Sequence, residues 1–479
     1  MNFLEVISML SNQFAYFAAT QPWYVVAYYI LQTIGWAILL PLVWVGALKA
    51  YLLARQIHYL GKSVKWCFLA VDVPKANEQT PKAVENIFNQ LAGSHKIPDY
   101  EERNWNGHMP YWFSFEIVSI EGYIQFIIGT PRKRRDLIES IIYAQYPDAE
   151  ITEVEDYTKS FPTHYPDKEW EVFGAEYVHA QDPLYPIKTY EEFEHSGAEE
   201  GTFKDPMAAF LEVFTRMGRG EHLWVQFLIK PLETSFLKAK GLQLVKKLIG
   251  AKVEIKAHPL HAIAVLPGKI IDAIVDAFFA KEGTVPVKKK DDAPHSLMLF
   301  LSPGEKEKVE AVEHKIDKLP FATKIRFIYI ARHEVFNRAR VSYGLTGAFK
   351  QYTSGHNGIK PESKRTITKT HFFFKKMRDD WRRTKIVNAY KNRSRWIGIL
   401  EWPLNAEELA TLWHFPILTV KAPLLKKTEA KRVEPPISLP VEGGYLRPKP
   451  FAEHSPDAPP FDPNKGGPPK GSPPPNLPV

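Results

Sequence analysis

A single cysteine, Cys67, in 479 residues leaves no intramolecular disulfide and no cysteine pair for a zinc site. It reads as a small apolar residue in a strand. A phosphate-cradling glycine loop is also missing. The only Gly-Lys-Ser, Gly61-Lys62-Ser63, has Gln56 where such a loop needs its first glycine, so it reads as helical stalk. The sixteen histidines form no HExxH and no cluster with cysteine, and there is no GxSxG elbow. His333-Glu334 sits near a strand end, but adjacent side chains project differently, which favours a solvated pair. These absences argue against a nucleotide motor, a zinc hydrolase and a serine hydrolase. The expectation is a protein that is not an enzyme, with no catalytic, cofactor or metal residues.

Charge is absent from one long stretch, Pro22 to Leu48. About 27 residues of helix would span a ~30 Å hydrocarbon core with some tilt. Trp23, Tyr24, Tyr28 and Tyr29 stand near its start as an interfacial belt, and Lys49, Arg55, Lys62 and Lys65 follow its end. The expected organisation is an extracytoplasmic segment 1–21, a single transmembrane helix 22–48 in the cell membrane, and a basic stalk 49–65. The N-terminus is then outside and the bulk of the chain cytoplasmic.

What is present beyond the stalk is an α+β pattern. Lys65 to Val73 reads as a strand, and Thr80-Pro81 opens a helix with Val84, Ile87, Phe88 and Leu91 on one face and Gly93 at its end. Phe113, Phe115 and Ile117 alternate onto one face of the next strand, and Ile124, Phe126 and Ile128 do so after a turn at Glu121-Gly122. A two-residue turn between Ile120 and Tyr123 sets Ile117 opposite Phe126 and Phe115 opposite Ile128. That hairpin has one apolar face needing a cover. Thr130 as cap and Pro131 as first residue are expected to start a helix with a Leu137, Ile138, Ile141 and Ile142 stripe. The order over 66–157 is that of a ferredoxin-like, split βαβ module.

A second α+β module is expected over 158–352, with an insert at 231–294. Its strands are 169–180, 223–230 and 325–330. Its helices open at Asp205-Pro206, with Phe210, Leu211, Phe214 and Met217 on one face, and at Ser302-Pro303. Because the same cap-plus-proline device recurs, the module reads as a second ferredoxin-like copy. Within the insert a helical run is expected at 269–280 and a charged loop at 288–292, and a further helix follows over 334–352. A basic arm and capping helix fill 353–416, with a strand at 396–402 and an Asn405/Glu408 capping box. From 417 to 479 the composition is that of a disordered, Pro-rich tail.

The formal charge of +8 points to an anionic neighbour, and most of the excess lies in residues 364–395. About a dozen Lys and Arg there face only Asp379 and Asp380, interleaved with Phe372, Phe373, Phe374, Trp381, Tyr390 and Trp396. Cations for phosphates and rings for bases would suit nucleic acid, with Lys375, Lys376, Arg378, Arg382 and Arg383 as the candidate contacts. A solvated helical face with its aromatics packed on the body, or contact with anionic lipid, fits the same composition.

Four phrases carry a resemblance: IYAQYPDAEITEVEDY, DPMAAFLEVFTRMGRGEHLWVQFLIKP, IRFIYIARHEVFNRARVSYGLTGAFKQY and NAEELATLWHFP, followed by two PPxxLPV-like segments. In this order, over residues 25–479, they resemble the region that precedes the motor in membrane-anchored type IV coupling-type ATPases, the HerA/FtsK-like conjugative DNA transfer proteins. In that family a P-loop domain follows this region, so no phosphate-binding residue carries over. The resemblance implies a non-catalytic, membrane-anchored subunit or scaffold of a type IV secretion or conjugation machine. Its expected partners are the membrane and a separately encoded P-loop ATPase, with DNA and a second copy of the chain as further partners.

Overall fold

Glu121 and Gly122 both take positive φ, 53° and 88°, the geometry of a two-residue hairpin turn whose twist matches the flanking strands. Around that turn, β2 (Phe113–Ile120) and β3 (Tyr123–Pro131) pair with Ile117 opposite Phe126, Phe115 opposite Ile128 and Ile120 opposite Tyr123. The register is the one the alternation dictates. The computed structural model describes residues 13, 16–17, 19–33, 35–74, 77–94, 96, 98–193, 205–250, 301–371 and 373–417. All lie in one compact unit, residues 1–430. The expected insert features at 269–280 and 288–292, and the tail from 418 onward, fall outside the described residues.

The chain is an α+β protein built on one antiparallel sheet. Its other strands are β1 (Trp66–Asp72), β4 (Glu150–Val154), β5 (Trp170–His179), β6 (Glu221–Pro231), β7 (Pro320–Arg332), β8 (Ile359–Pro361) and β9 (Trp402–Asn405). They lie in the order β4-β1-β3-β2-β6-β7-β5-β8. The first half contributes β4-β1-β3-β2, and the second half, from the opposite edge, β8-β5-β7-β6. The halves join where β2 pairs with β6, eight residues against eight from Phe113↔Ile229 to Ile120↔His222. β7 is long enough to serve two neighbours on one side: Pro320–Thr323 pair with β9, and Ile325–Arg332 with β5.

Helices α1 (Trp23–Thr33) and α2 (Gly35–Ser63) precede the sheet. Among the described residues, no helix is long and apolar enough to cross a membrane. Gly61-Lys62-Ser63 closes α2, in keeping with a stalk. Where α2 meets the body, Arg55 Nε donates to the Trp105 carbonyl at 3.3 Å and Tyr59 pairs with Tyr111. Gly107, at φ +68°, lies so close that a Cβ there would fall 2.7 Å from the Arg55 backbone.

One sheet face is covered by α3 (Pro81–Gly93), α5 (Arg135–Gln145), α6 (Met207–Thr215), α9 (Arg338–Lys350) and α11 (Ala406–Leu412). The main core fills this layer, with Val84, Ile87, Phe88 and Leu91 of α3, Ile138, Ile141 and Ile142 of α5, and Phe210, Leu211 and Phe214 of α6 against Phe115, Ile117, Phe126 and Phe227. Cys67 is buried here as a strand residue. The other face is covered by α10 (Lys375–Lys391), through Ile386, Val387 and Tyr390 on Val118, Trp224 and Ile328. The hairpin therefore buries both faces rather than one.

Several local expectations change. Thr130 and Pro131 finish β3; a 3₁₀ turn at Arg132–Arg134 intervenes, and α5 starts at Arg135 with no side-chain cap. The strand expected at 396–402 is a loop up to Glu401, and β9 begins at Trp402. On the main sheet face α9 follows β7, whereas the helix at Ser302-Pro303 leads into β7 as expected but does not cover that face. That helix, α8 (Pro303–Asp317), packs on α7 (Thr234–Leu248) in a separate small core of Leu237, Val245, Val309, Val312 and Ile316. A Cβ at Gly241 would clash with Ile316 Cγ2, so glycine sets that close approach. A short α4 (Tyr100–Asn104) lies between α3 and β2. Ser302/Glu305 and Asn405/Glu408 form reciprocal capping boxes, whereas Asp205 stands one residue before the cap position Pro206, its Oδ1 accepting the Met207 N–H at 2.7 Å, and Thr80 starts α3 with no side-chain cap bond.

Candidate nucleic-acid interface

The face under α10 carries a row of polar side chains set in register across four strands. Glu116 of β2 lies opposite Gln226 of β6, Gln226 opposite Arg326 of β7, and Arg326 opposite Glu176 of β5. All four are buried. Gln226 Nε2 donates to Glu116 Oε1 at 2.8 Å, Arg326 Nη1 to Gln226 Oε1 at 3.3 Å, and Arg326 Nη2 to Glu176 Oε1 at 3.0 Å.

The row has a local cause. The last carbonyls of a helix lack intrahelical donors, and α10 ends over the sheet. Arg326 donates to Ala389 O at 2.6 Å and to Ser394 O at 2.9 Å, while Lys324 Nζ donates to Arg395 O and Ile397 O at 2.6 and 2.9 Å. Arg326 thus reaches the last turn of the helix, where its dipole favours a cation, and with Lys324 it holds the carbonyls of the loop that follows. Burial pulls the Lys324 ammonium down to about 8 despite Glu176 nearby. Arg393 closes the other end on Glu116, 3.1 Å, and Asp156. Burial pulls its pKa down, but Glu116, Tyr157 and Asp156 outweigh that and hold it above the usual arginine value. In the loop beyond, Gly398 takes φ +100°, and a Cβ there would run into the Glu176 carboxylate.

Above this platform is a cavity of about 360 Å³. Glu176, Ile386, Ala389, Ile397 and Gly398 line it together with Trp381, Lys364, Arg365 and Lys385. Lys364 and Arg365 are placed by Glu362, whose carboxylate accepts the N–H groups of Lys364, Arg365 and Thr366 at 2.9, 2.7 and 2.8 Å. Burial raises the Glu362 pKa, yet those donors leave it below the ordinary value. Thr366 and Thr368 accept the N–H groups of Glu176 and Gly174, tying this loop to β5. Lys385 Nζ stands 4.4 Å from the Trp381 ring centre, one helical turn away.

The five residues expected to make contact divide. Lys375, Lys376 and Arg378 are exposed on the first turn of α10, with Arg378 donating to the His371 carbonyl at 3.3 Å. Arg382 is buried and structural, donating to Lys364 O at 2.6 Å and Ile367 O at 2.9 Å, with its pKa lowered by burial and by Arg378. Arg383 is held by Glu171 and by Asp380. Of the aromatics, Tyr390 is fully buried, whereas Phe373 (83% exposed), Phe374 (76%), Trp381 (59%) and Trp396 (55%) face solvent, with Met377 beside them. Phe372 lies outside the described residues. Apart from Trp396, whose ring meets Trp112 edge-on, the exposed set runs along the start of α10 as a basic, aromatic ridge from Phe373 to the cavity mouth at Trp381.

Lys364, Arg365 and Lys385 lie in the basic arm, yet composition alone does not single them out. The Trp381/Lys385 i,i+4 spacing is the available signal; the contribution of the 364–366 loop depends on its tie to β5, distant in sequence. His333 is exposed, 3.5 Å from Glu171, in keeping with a solvated pair.

The chain belongs to the family described as a domain of unknown function (DUF8128), whose model matches residues 70–416. No curated protein matches the chain.

Proposed function

We propose that this member of the family is a membrane-anchored, non-catalytic subunit that binds single-stranded nucleic acid. It would serve a type IV secretion or conjugative DNA transfer machine beside a separately encoded P-loop ATPase. The observation that carries the reading is the ridge on α10. Phe373, Phe374 and Trp381 stand in solvent among Lys375, Lys376, Arg378 and Lys385, instead of packing on the body as a merely solvated helix would have them. Exposed rings offer stacking surfaces to unpaired bases, and interleaved cations track a backbone of phosphates. The 360 Å³ cavity at the end of the ridge offers an apolar wall and the Trp381 ring to one base.

Anchoring is supported by the uncharged run Pro22–Leu48 and by what α1 and α2 leave uncovered. Trp23, Tyr24, Trp36, Leu40, Val43 and Trp44 are each more than half exposed, a surface that calls for an apolar neighbour. We read the two sheet halves as ferredoxin-like copies, because, leaving aside the short α4 and the α7 and α8 helices between β6 and β7, each runs strand, helix, strand, strand, helix, strand and each places its fourth strand beside its first.

The test is fluorescence anisotropy of the full chain in detergent with a labelled single-stranded oligonucleotide, titrated with salt. Binding should weaken steeply as salt rises. The Lys375→Gln, Lys376→Gln, Arg378→Gln triple variant should lower the log–log slope by about 2, at ~0.7 per lost phosphate contact. Absent or salt-insensitive binding sinks the proposal, and equal affinity for duplex removes the single-strand part of it.

A further inference from the structure

A second cluster lies on the other side of the sheet, where α8 meets the N-terminus of α11. The buried Lys315–Glu408 ion pair, 3.0 Å, pins the two helices together. Glu408 is simultaneously the capping-box partner of Asn405, so α11 is fixed in place. One residue earlier in each helix, His314 and Glu407 are thereby set side by side, His314 Nδ1 3.7 Å from Glu407 Oε2. Glu191 completes the group. Ligand atoms of Glu191, His314 and Glu407 all lie within 4.8 Å of one another.

The charges there do not balance. Lys318 is the ammonium among three carboxylates, 2.5 Å from Glu407, 3.3 Å from Glu85 and 3.9 Å from Glu191. Glu85 is served well without it, accepting from Tyr190 Oη at 2.5 Å and Lys82 Nζ at 3.2 Å. Glu407 is not: its side chain is 1% exposed and Oε1 has no hydrogen-bond partner. A buried carboxylate oxygen without a donor is costly, and this one lines a cleft of about 390 Å³ whose walls add Glu192, Glu307 and Glu310.

We infer that Glu407, His314 and Glu191 form a binding site for a divalent transition-metal ion, zinc or manganese. An imidazole with two carboxylates suits those ions better than an all-oxygen site for magnesium or calcium would. Metal–ligand bonds of about 2.0–2.2 Å require the donors to close in by roughly 1 Å or more. His314 and Glu191 are at the cleft rim, with side chains 56% and 43% exposed, and can make that movement while Glu407 stays put. The ion supplies the missing partner of Glu407 and displaces Lys318 toward Glu85.

The experiment is calorimetric titration of the chelator-treated full chain in detergent with zinc chloride, alongside thermal unfolding with and without the metal. One saturable site and a rise of several degrees in unfolding temperature are expected. His314→Ala, at an exposed position, should keep the metal-free unfolding temperature and weaken zinc binding by about tenfold or more, since even a group behind a metal ligand contributes that much. Lys318→Gln should tighten it by removing the competing ammonium. The proposal is overturned if no saturable zinc site is found, if His314→Ala and Glu191→Gln bind zinc as the unmodified chain does, or if Lys318→Gln binds more weakly.

Discussion

The two faces of one sheet are buried by different means. On the face under α3, α5, α6, α9 and α11, the strands present Phe115, Ile117, Phe126, Phe227 and Phe327, and the buried ion pairs of that layer, Asp205–His414 and Lys315–Glu408, belong to helices and loops rather than to the strands. On the face under α10, the middle of β2, β6, β7 and β5 presents Glu116, Gln226, Arg326 and Glu176, each bonded to the next. Five helices share the first face; α10 lies across the second, and its C-terminus comes down on the sheet. Ala389 O of its last turn and the Ser394 and Ile397 carbonyls just beyond then take donors from the sheet that an apolar core lacks. Gly174 helps this approach, since a Cβ there would lie 3.2 Å from Ile386 Cδ1. Burying charge is therefore not a defect of packing here but the consequence of where one helix ends.

Removing one member of the polar row should have the largest effect. Arg326→Met leaves the buried Glu176 with only the more distant Lys324 as counter-charge and removes the Arg326 bonds to Ala389 O and Ser394 O, and is expected to destabilise by about 3–5 kcal/mol. Chemical denaturation checks this. Adding Glu176→Leu should recover part of the loss, because an apolar pair replaces a broken ionic one. The strand residues on the opposite face, Phe115, Ile117, Phe126 and Phe227, carry no charge for a second mutation of this kind to rescue.

Acid should discriminate the same face next. His222 lies between Phe161 and Trp170 on the α10 side, and burial lowers its pKa to about 4 from 6.5. The folded protein thus holds fewer protons than the unfolded chain between these values. Its contribution is present in full above pH 6.5 and is lost as pH falls toward 4, about 2–3 kcal/mol across the window once solvent screening is counted. His222→Phe should flatten the stability profile there in thermal unfolding at stepped pH. A slope of the same sign remains from His179, lowered well below its usual value by burial and Lys315.

The smallest expected effect is on the outer surface of α10. Trp381→Ala removes an exposed ring and should change stability by less than about 0.5 kcal/mol. In the anisotropy assay it should still weaken nucleic-acid binding, by about 1–3 kcal/mol if one base stacks there. A large stability loss instead would assign Trp381 to the core beneath it.

Much of the local architecture is legible in the residues alone. The β2–β3 register follows from period-two alternation and a two-residue turn. The capping boxes at Ser302 and Asn405 follow from three-residue spacing, and the faces of α3 and α6 from helical periodicity. Thr130-Pro131 misleads because a proline ending an edge of β3 looks the same as one opening a helix; the intervening 3₁₀ turn has no distinctive pattern. Trp396–Trp402 misleads because its apolar residues suit a strand, whereas Lys324, Arg326 and Glu176 hold the segment as a loop. At the interface, composition locates the basic arm but cannot separate Lys375, Lys376 and Arg378, which face solvent, from Arg382 and Arg383, which are held by Lys364, Ile367, Glu171 and Asp380.

By itself, the sequence determined the β2–β3 hairpin, the capping boxes at Ser302 and Asn405 and the amphipathic stripes, since those depend on contacts within a few residues. Only the tertiary structure decided that Glu116, Glu176, Gln226 and Arg326 would meet, or that His314 and Glu407 would. Partners in each set come from strands and helices tens to hundreds of residues apart, and their spacing leaves no period to read. The strand order brought them together, and the cost of leaving a buried charge or carbonyl alone then fixed their bonds.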